Sequence, residues 1–356
     1  MKRMKHEKPD LAELKANEKS VYRKMELNRL KQGLKIVSKY PFIIPKLIKN
    51  YLQTLRGEFP LRSLELAVGY ECNFGCDQCS CASNHNPKRE RLTVKQFKGV
   101  VDQAVQMGAF QFNLNGGEPL LYYDEVREMC RYIRKKGCYV HMATNGYYFT
   151  PDMIWDMKDA GLCSFEMGLD SSIEVVHDQN RHEGSYKKIM RNVEEAHKLR
   201  LGVSFNTVST KEKIWNGDLL DTVLLAKKMS VMLMITPPCV TGNWSGKLDV
   251  LLNEDEKWYV RWILSSFPET RLDNYNGLKG LSCPAAREKM AVNPYGDVVS
   301  CPLIQIVYGN VNSDRLKTIQ EKMLKDPFYF KNLRDGCLPS HDMDFINERL
   351  VKERDS

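Results

Sequence analysis

The chain has 356 residues, 42% of them hydrophobic and 28% charged. That length suits a barrel-sized domain with a smaller companion, and it buries a core without help from disulfides; the composition is that of a globular protein, not a disordered or fibrous one. No apolar run reaches the ~18 residues of a spanning helix, and the opening MKRMKHEKPD is too charged for a secretory signal, so a cytoplasmic chain is expected.

In a reducing compartment the eleven cysteines read as metal ligands or buried thiols, and an odd count excludes a fully paired disulfide framework. The net charge of +8 is uneven. Residues 1–62 carry sixteen Lys/Arg and six Asp/Glu, so the rest of the chain carries −2. The basic character belongs to an N-terminal extension, set at residues 1–61. Without a recognition motif, that charge does not read as nucleic-acid binding.

Residues 10–40 predict one or two helices rich in Lys, Arg, Leu and Glu. Pro41 and Pro45 punctuate the next segment. Leu47–Arg56 then has the pattern of an amphipathic helix with a basic polar face, ended by Gly57 and Pro60. Such a helix can pack on the body with its lysines in water, the usual outcome, or lie on an anionic membrane surface.

From there short apolar runs alternate with helical stretches. Strands are expected at Leu64–Val68, Phe110–Leu114, Tyr139–Thr144, Ser164–Leu169, Val203–Val208 and Val231–Ile235. Helices are expected at Lys95–Met107, Tyr123–Lys136, Pro151–Ala160, Tyr186–Leu199 and Asp218–Lys228. Strands separated by helices pair in parallel through right-handed crossovers. The expectation is an α/β body over residues 62–240, an open sheet or partial barrel whose site lies at the strand C-terminal ends. After Thr241 the regularity weakens. Residues 250–266 read as a helix, 283–340 are turn-rich, and 241–356 is taken as a small second domain.

The first strand runs into Cys72-Asn73-Phe74-Gly75-Cys76-Asp77-Gln78-Cys79. This C-x3-C-x2-C spacing wraps three thiolates around one corner of an iron–sulfur cube and leaves one iron open. The alternatives at this point are zinc, with Cys81 as fourth ligand, and thiols without metal.

This pattern, after the first strand of a β/α repeat, resembles the radical S-adenosylmethionine (SAM) superfamily. The resemblance spans roughly residues 62–240 and implies a partial (β/α)6 TIM-like barrel with a [4Fe–4S] cluster on Cys72, Cys76 and Cys79. Asn115-Gly116-Gly117-Glu118-Pro119-Leu120 looks like the family's GGEP motif, which contacts the SAM amino group. Glycines let carbonyls approach closely, and Glu118 adds negative charge near an ammonium. Asn145 in Thr144-Asn145-Gly146, Asp170 in Leu169-Asp170-Ser171, and Arg181 match further SAM-contacting stretches. So do the residues around Arg181, His177-Asp178 and Gly184-Ser185-Tyr186. Asn206 on the fifth strand is expected to point at SAM. Two departures stand out. Gln78 replaces the aromatic that the family places before its third cysteine, and Gly168 replaces a serine.

Cys283, twelve residues, Gly296, four residues and Cys301 form C-x12-G-x4-C. Val292–Val299 reads as a hairpin turning at Pro294–Asp297, which brings the two cysteines together. Cys337 follows. This is similar to the Twitch form of the SPASM/Twitch auxiliary-cluster domain and implies a second iron–sulfur cluster on Cys283, Cys301 and Cys337. Its fourth ligand is open among Cys239, His341, another residue and the substrate. Cys239, in Pro237-Pro238-Cys239, is alternatively a hydrogen donor to a substrate radical or an inert buried thiol. Cys130, Cys138 and Cys163 read as core.

The resemblance implies reductive cleavage of SAM to a 5′-deoxyadenosyl radical. That radical abstracts hydrogen from a carbon of a sugar, aminocyclitol, peptide or lipid-linked substrate. Oxidation, epimerisation or bond formation follows, with electrons from an external donor such as flavodoxin or ferredoxin. The rival is a non-catalytic iron–sulfur or zinc protein acting as electron carrier or scaffold, which needs no SAM site.

Overall fold

The structure, a computed structural model, describes residues 9–273, 283–331, 333 and 336–351. The ends of the expected extension and of the C-terminal segment, with 274–282 between them, lie outside the described residues. Asp10 caps α1 (Leu11–Ala16) by accepting from the Ala12 and Glu13 amides. Then come α2 (Glu18–Lys39) and α3 (Ile44–Leu55), the latter opened by Pro45 in its first turn.

The body alternates β1 (Ser63–Gly69), α4 (Val94–Gln106), β2 (Gln111–Gly116), α5 (Tyr123–Lys135) and β3 (Tyr139–Thr144). It continues through α6 (Pro151–Asp159), β4 (Ser164–Gly168), α7 (Glu174–Asn180), α8 (Ser185–Lys198) and β5 (Gly202–Val208). Next come α9 (Lys211–Trp215), α10 (Asp218–Lys228), β6 (Met232–Thr236), α11 (Glu254–Ser266) and β7 (Thr270–Leu272). The chain then returns to the other edge with β8 (Lys289–Val292), β9 (Asp297–Cys301), β10 (Ile304–Asn310) and α12 (Leu316–Met323). A Thr93/Gln96 capping box starts α4.

Among the described residues all ten strands lie in one sheet, in the order β10-β9-β8-β1-β2-β3-β4-β5-β6-β7. Every pair from β8 through β7 is parallel, and the β8–β9 and β9–β10 pairs are antiparallel. The six expected strands are present within two residues of their expected ends. The sheet curls into a half-barrel. Its outward side chains, among them Phe112, Val140, Met142, Phe165, Met167 and Phe205, are fully buried under the helices. The segment after residue 240 shares this sheet, with β7 on one edge and β8–β10 on the other.

The inward face is different. In β2, β3 and β4 buried apolar residues alternate with half-buried Gln111, Asn113, Asn115, Tyr139, His141 and Glu166. Parallel strands buried on both faces read as continuous apolar runs. The alternation here marks a polar interior.

Candidate active site

The cysteine loop leaves the C-terminal end of β1. The Cys79 amide donates to the Cys76 carbonyl (3.2 Å) and the Phe74 amide to Cys72 Sγ (3.4 Å), so the loop curls back on its own thiols. None of the eleven cysteines is in a disulfide. Cys81 Sγ lies 3.7 Å from Cys79 Sγ and donates to the Gly116 carbonyl at 3.2 Å. The Cys81 thiol beside it lowers the Cys79 pKa, while burial pushes Cys72 and Cys76 up. Cys81 therefore braces the loop against the end of β2.

The Gly116-Gly117 stretch presses on that loop. The Gly117 amide donates to the Gly69 carbonyl (2.8 Å) and the Glu118 amide to the Glu71 carbonyl (2.8 Å). A Cβ on Gly117 would sit 2.2 Å from the Glu71 carbonyl oxygen. Only glycine lets the two backbones meet. Pro119 is buried in the turn that follows.

Glu118 does something other than the sequence suggested. It is 1% exposed and accepts from the Leu120 amide (2.9 Å), the Thr144 hydroxyl (2.6 Å) and the Asn145 amide (2.7 Å). Burial pushes its pKa up, against these donors. Its carboxylate ties the end of β2 to the end of β3, a positioning role. Asn145, held this way, donates to Asn73 Oδ1 at 2.8 Å and stands 4.0 Å from Cys72 Sγ.

At the end of β4, Asp170 receives Arg181 on both oxygens (2.8 and 3.0 Å) and Gln78 Nε2 at 2.8 Å. Burial alone would raise this carboxyl. The Arg181 guanidinium holds it well below the usual carboxylate range. Both departures from the family pattern now have causes. Gln78 ties the cysteine loop to Asp170. A Cβ on Gly168 would lie 2.3 Å from the Arg181 guanidinium nitrogens, so glycine gives Arg181 its place across β4.

His177 accepts the Asp170 amide at 3.1 Å, and burial lowers its pKa to about 4. Asp178 accepts the Gly184 and Tyr186 amides and the Ser185 hydroxyl at the start of α8. The His-Asp…Arg…Gly-Ser-Tyr pattern is thus a brace for the Asp170–Arg181 pair.

Several features escaped the sequence reading. Gly242 (φ 58°) packs where a Cβ would be 2.1 Å from the Cys79 carbonyl oxygen. Asn243 donates from its amide to that carbonyl and from its side chain to the Cys76 carbonyl, each at 3.0 Å, and Trp244 Nε1 donates to Asp77 at 2.8 Å. Residues 242–244 clasp the cysteine loop. Beside it Phe74 stacks on His182 (5.2 Å, 12°) and Tyr147 meets both rings. No spacing rule links these segments.

The second thiol set lies at the other end of the half-barrel. Lys289 pairs in register with Ser63 at the start of β1, and the pairing of Ala291 with Val299 puts Cys301 level with Lys289. Cys283, Cys301 and Cys337 stand near enough to feel one another's charge. Burial pushes Cys283 up to about 11 and Cys301 up to about 12. The length of β1 separates the two sets by about 20 Å. His341 Nδ1 accepts the Cys337 amide at 3.2 Å. Cys239 is 7% exposed, its thiol donating to the Pro237 carbonyl at 3.3 Å. The next residue, Val240, donates to the Pro339 carbonyl at 3.2 Å. Residues 240–244 therefore run from the Cys337 segment to the Cys79 loop. Cys130, Cys138 and Cys163 are buried as expected.

Between the two thiol sets the interior is lined by hydrogen bonds. Glu65 accepts Lys289 (2.6 Å), Asn115 (2.6 Å) and Asn113 (3.1 Å). Ser164 Oγ lies 2.7 Å from both Tyr139 Oη and His141 Nδ1. Asn206, in register with Gly168, donates to Glu166 (3.4 Å) and accepts the Thr236 hydroxyl (3.1 Å). Burial lowers His141 to about 4; burial and Asp273 together raise Glu166 well above the carboxylate range.

The profile of the radical SAM superfamily matches residues 66–216. Over that span the chain carries a radical SAM domain. Mycofactocin maturase MftC of Mycolicibacterium smegmatis is 27% identical over 288 residues, covering 76% of this chain and 72% of that protein. The AdoMet-dependent heme synthase of Methanosarcina barkeri is 29% identical over 209 residues, 58% of each chain. Among solved structures, Streptococcus suis SuiB bound to its precursor peptide SuiA aligns with a TM-score of 0.60 at 14% identity. It covers 79% of this chain and 68% of that one. The anSMEcpe structure with bound AdoMet and a Cp18Cys peptide gives 0.59 at 16% identity, covering 79% and 91%. These likenesses fix the half-barrel fold. The protein is an enzyme, and a [4Fe–4S] cluster with SAM is the cofactor pair of the radical SAM domain.

The residues present fit that pair. The donor set on the β1 loop is thiol-rich: Cys81 is engaged with the Gly116 carbonyl and Asp77 with Trp244, which leaves Cys72, Cys76 and Cys79, the chemistry of a cluster corner. The paired glycines let the end of β2 press directly on the Gly69 and Glu71 carbonyls, which sets the cysteine loop beside it.

Proposed function

We propose that this enzyme modifies a carbon of a peptide substrate held inside the half-barrel, between Cys72/Cys76/Cys79 and Cys283/Cys301/Cys337. The observation carrying this reading is the polar, hydrogen-bond-lined interior joining two separate thiol sets. The names of the relatives, a maturase and an enzyme solved with its precursor peptide, support a peptide over a sugar, aminocyclitol or lipid-linked substrate.

In this reading Cys72, Cys76 and Cys79 hold the cluster. The Gly116-Gly117 backbone receives an ammonium, and Arg181 offers its guanidinium to a carboxylate. The bound pair supplies a carbon radical that abstracts hydrogen, and the hard chemistry is the cofactor's. The chain's own residues do the rest. Asp170 and His177 fix Arg181, while Glu118 and Asn145 fix the rim. Residues 242–244 hold the cysteine loop closed. Glu166, whose carboxyl burial pushes up, and neutral His141 offer hydrogen-bonding groups suited to peptide amides. Cys283, Cys301 and Cys337 hold the auxiliary cluster. Cys239, on the segment between the two thiol sets, is the candidate for its fourth ligand or for hydrogen donation to a substrate radical. An external flavodoxin or ferredoxin supplies electrons. Oxidation, epimerisation and bond formation are the outcomes open to such a site.

The test is anaerobic reconstitution with SAM and dithionite. 5′-Deoxyadenosine and about eight irons per chain are expected, falling to about four in a Cys283→Ala/Cys301→Ala variant. An intact cluster that yields no 5′-deoxyadenosine would return the chain to the electron-carrier reading.

A further inference from the structure

Helix α3 of the N-terminal extension packs inside out. In α3 the buried residues are Asn50 and Thr54. Asn50 donates to the Gly108 carbonyl at 3.0 Å, and Thr54 donates to the Asn50 carbonyl at 2.9 Å. Lys46 donates to the Lys136 carbonyl at 2.6 Å, and Tyr40 just before α3 donates to the Cys163 carbonyl. These carbonyls precede β2, β3 and β4, so the extension runs along the N-terminal rim of the half-barrel, away from Cys72.

The apolar side chains of α3 point the other way. Ile48, Tyr51, Leu52 and Leu55 are 54%, 53%, 50% and 62% exposed. Their i, i+3, i+4, i+7 spacing puts them on one stripe. Lys49 and Arg56 are exposed with them. Helix α2 buries Val21, Tyr22 and Met25 in the core, and its later turns repeat the arrangement. Asn28 and Gln32 face inward, donating to the Leu264 carbonyl and to the Pro268 and Thr270 carbonyls. Leu27, Leu30 and Leu34 are 46%, 62% and 68% exposed, beside exposed Arg23, Lys24, Lys31 and Lys35. A helix that anchors itself by polar side chains and turns leucines to water is unusual for a globular body, where the apolar stripe faces the core.

We infer that the α3 stripe, with its flanking Lys49 and Arg56, docks this enzyme peripherally on an anionic membrane surface. Apolar side chains interleaved with cations match a bilayer's outer layer, where acyl chains lie under anionic headgroups. Charge decides between occupants. A second copy docking by the same face would set Lys49 and Arg56 against their own counterparts, whereas anionic lipid neutralises them. The stripe lies at the end of the half-barrel away from Cys72, so docking leaves the cysteine loop uncovered.

The test uses the full chain and sedimentation with vesicles of phosphatidylcholine alone or mixed with phosphatidylglycerol. Binding to the mixed vesicles is expected to exceed binding to the neutral ones by roughly tenfold and to fade with salt. Leu52→Asp/Leu55→Asp should abolish binding, and Lys49→Glu/Arg56→Glu should erase the preference for phosphatidylglycerol. Both variants should keep the parent's melting temperature and iron content. Equal binding of parent and Leu52→Asp/Leu55→Asp overturns the inference. So does a parent that light scattering finds dimeric and Leu52→Asp/Leu55→Asp finds monomeric, which would assign the stripe to a second copy.

Discussion

Arg181 shows how much depends on single side chains at the cysteine-loop end. Its guanidinium lies across β4 because residue 168 lacks a Cβ, and it stays there because Asp170 accepts it twice. Gly168→Ser restores the residue usual in the family but places its Cβ in the guanidinium. Arg181 must move, and a bidentate charge-assisted contact is lost. SAM affinity should fall roughly tenfold, about 1.4 kcal/mol, with iron content unchanged. Equilibrium binding of SAM to the reconstituted variant checks this, and wild-type affinity would show that Arg181 does not hold SAM. Glu118 makes a second case. Glu118→Gln puts an amide NH2 where three donors now converge, so at least one donor faces another. A loss of about 1–3 kcal/mol of stability is expected, read by denaturant unfolding. A variant as stable as the parent would show that the carboxylate is not the tie between β2 and β3.

At the scale of elements, the β/α alternation was legible because each strand is a short apolar run flanked by turn chemistry, and each helix carries its own caps. The pairing of β8 with β1 was not legible. The pair joins residues more than two hundred positions apart, and no local pattern encodes such a contact. The three-residue β7 and the short α7 and α9 are below the length at which periodicity speaks. In α3 the period was legible and its direction stayed open between the body and a membrane, because hydrophobic spacing cannot say which face a neighbour's carbonyls will claim. The 242–244 clasp was equally hidden, since its value lies in the Cys76 and Cys79 carbonyls it reaches. Gly242 there has a positive φ and no room for a Cβ. Gly242→Val should loosen the cysteine loop, so iron is expected to leave severalfold faster under a chelator while the rest of the barrel keeps its melting temperature. Unchanged iron release would show that the clasp only decorates the loop.

At the scale of the whole molecule, two thiol sets, a polar interior and a rim of braced charges form one vessel about one strand long. Its composition was on view in the sequence. Polar residues alternate with apolar ones in strands that pair in parallel, a combination that makes sense only if one face lines a cavity. The protonation of that cavity was not on view, because it follows from how β4 faces the end of β7. Glu166 is raised by burial and then by Asp273, and Asp273 is raised by burial as well. A carboxyl raised on folding stabilises the native state fully below its unfolded pKa. That contribution is lost as pH climbs toward the raised folded value, because the unfolded chain ionises where the folded one cannot. Glu166→Gln removes the titration and keeps the shape. Its stability relative to the parent should therefore rise with pH through the acid-to-neutral range, by up to about 1.4 kcal/mol per unit. The gap levels off once the parent's Glu166 ionises. Denaturant unfolding of both chains at a series of pH values measures this gap. A gap that stays constant, or closes as pH rises, would mean that Glu166 is already ionised in the native interior and that the cavity presents a carboxylate to its substrate.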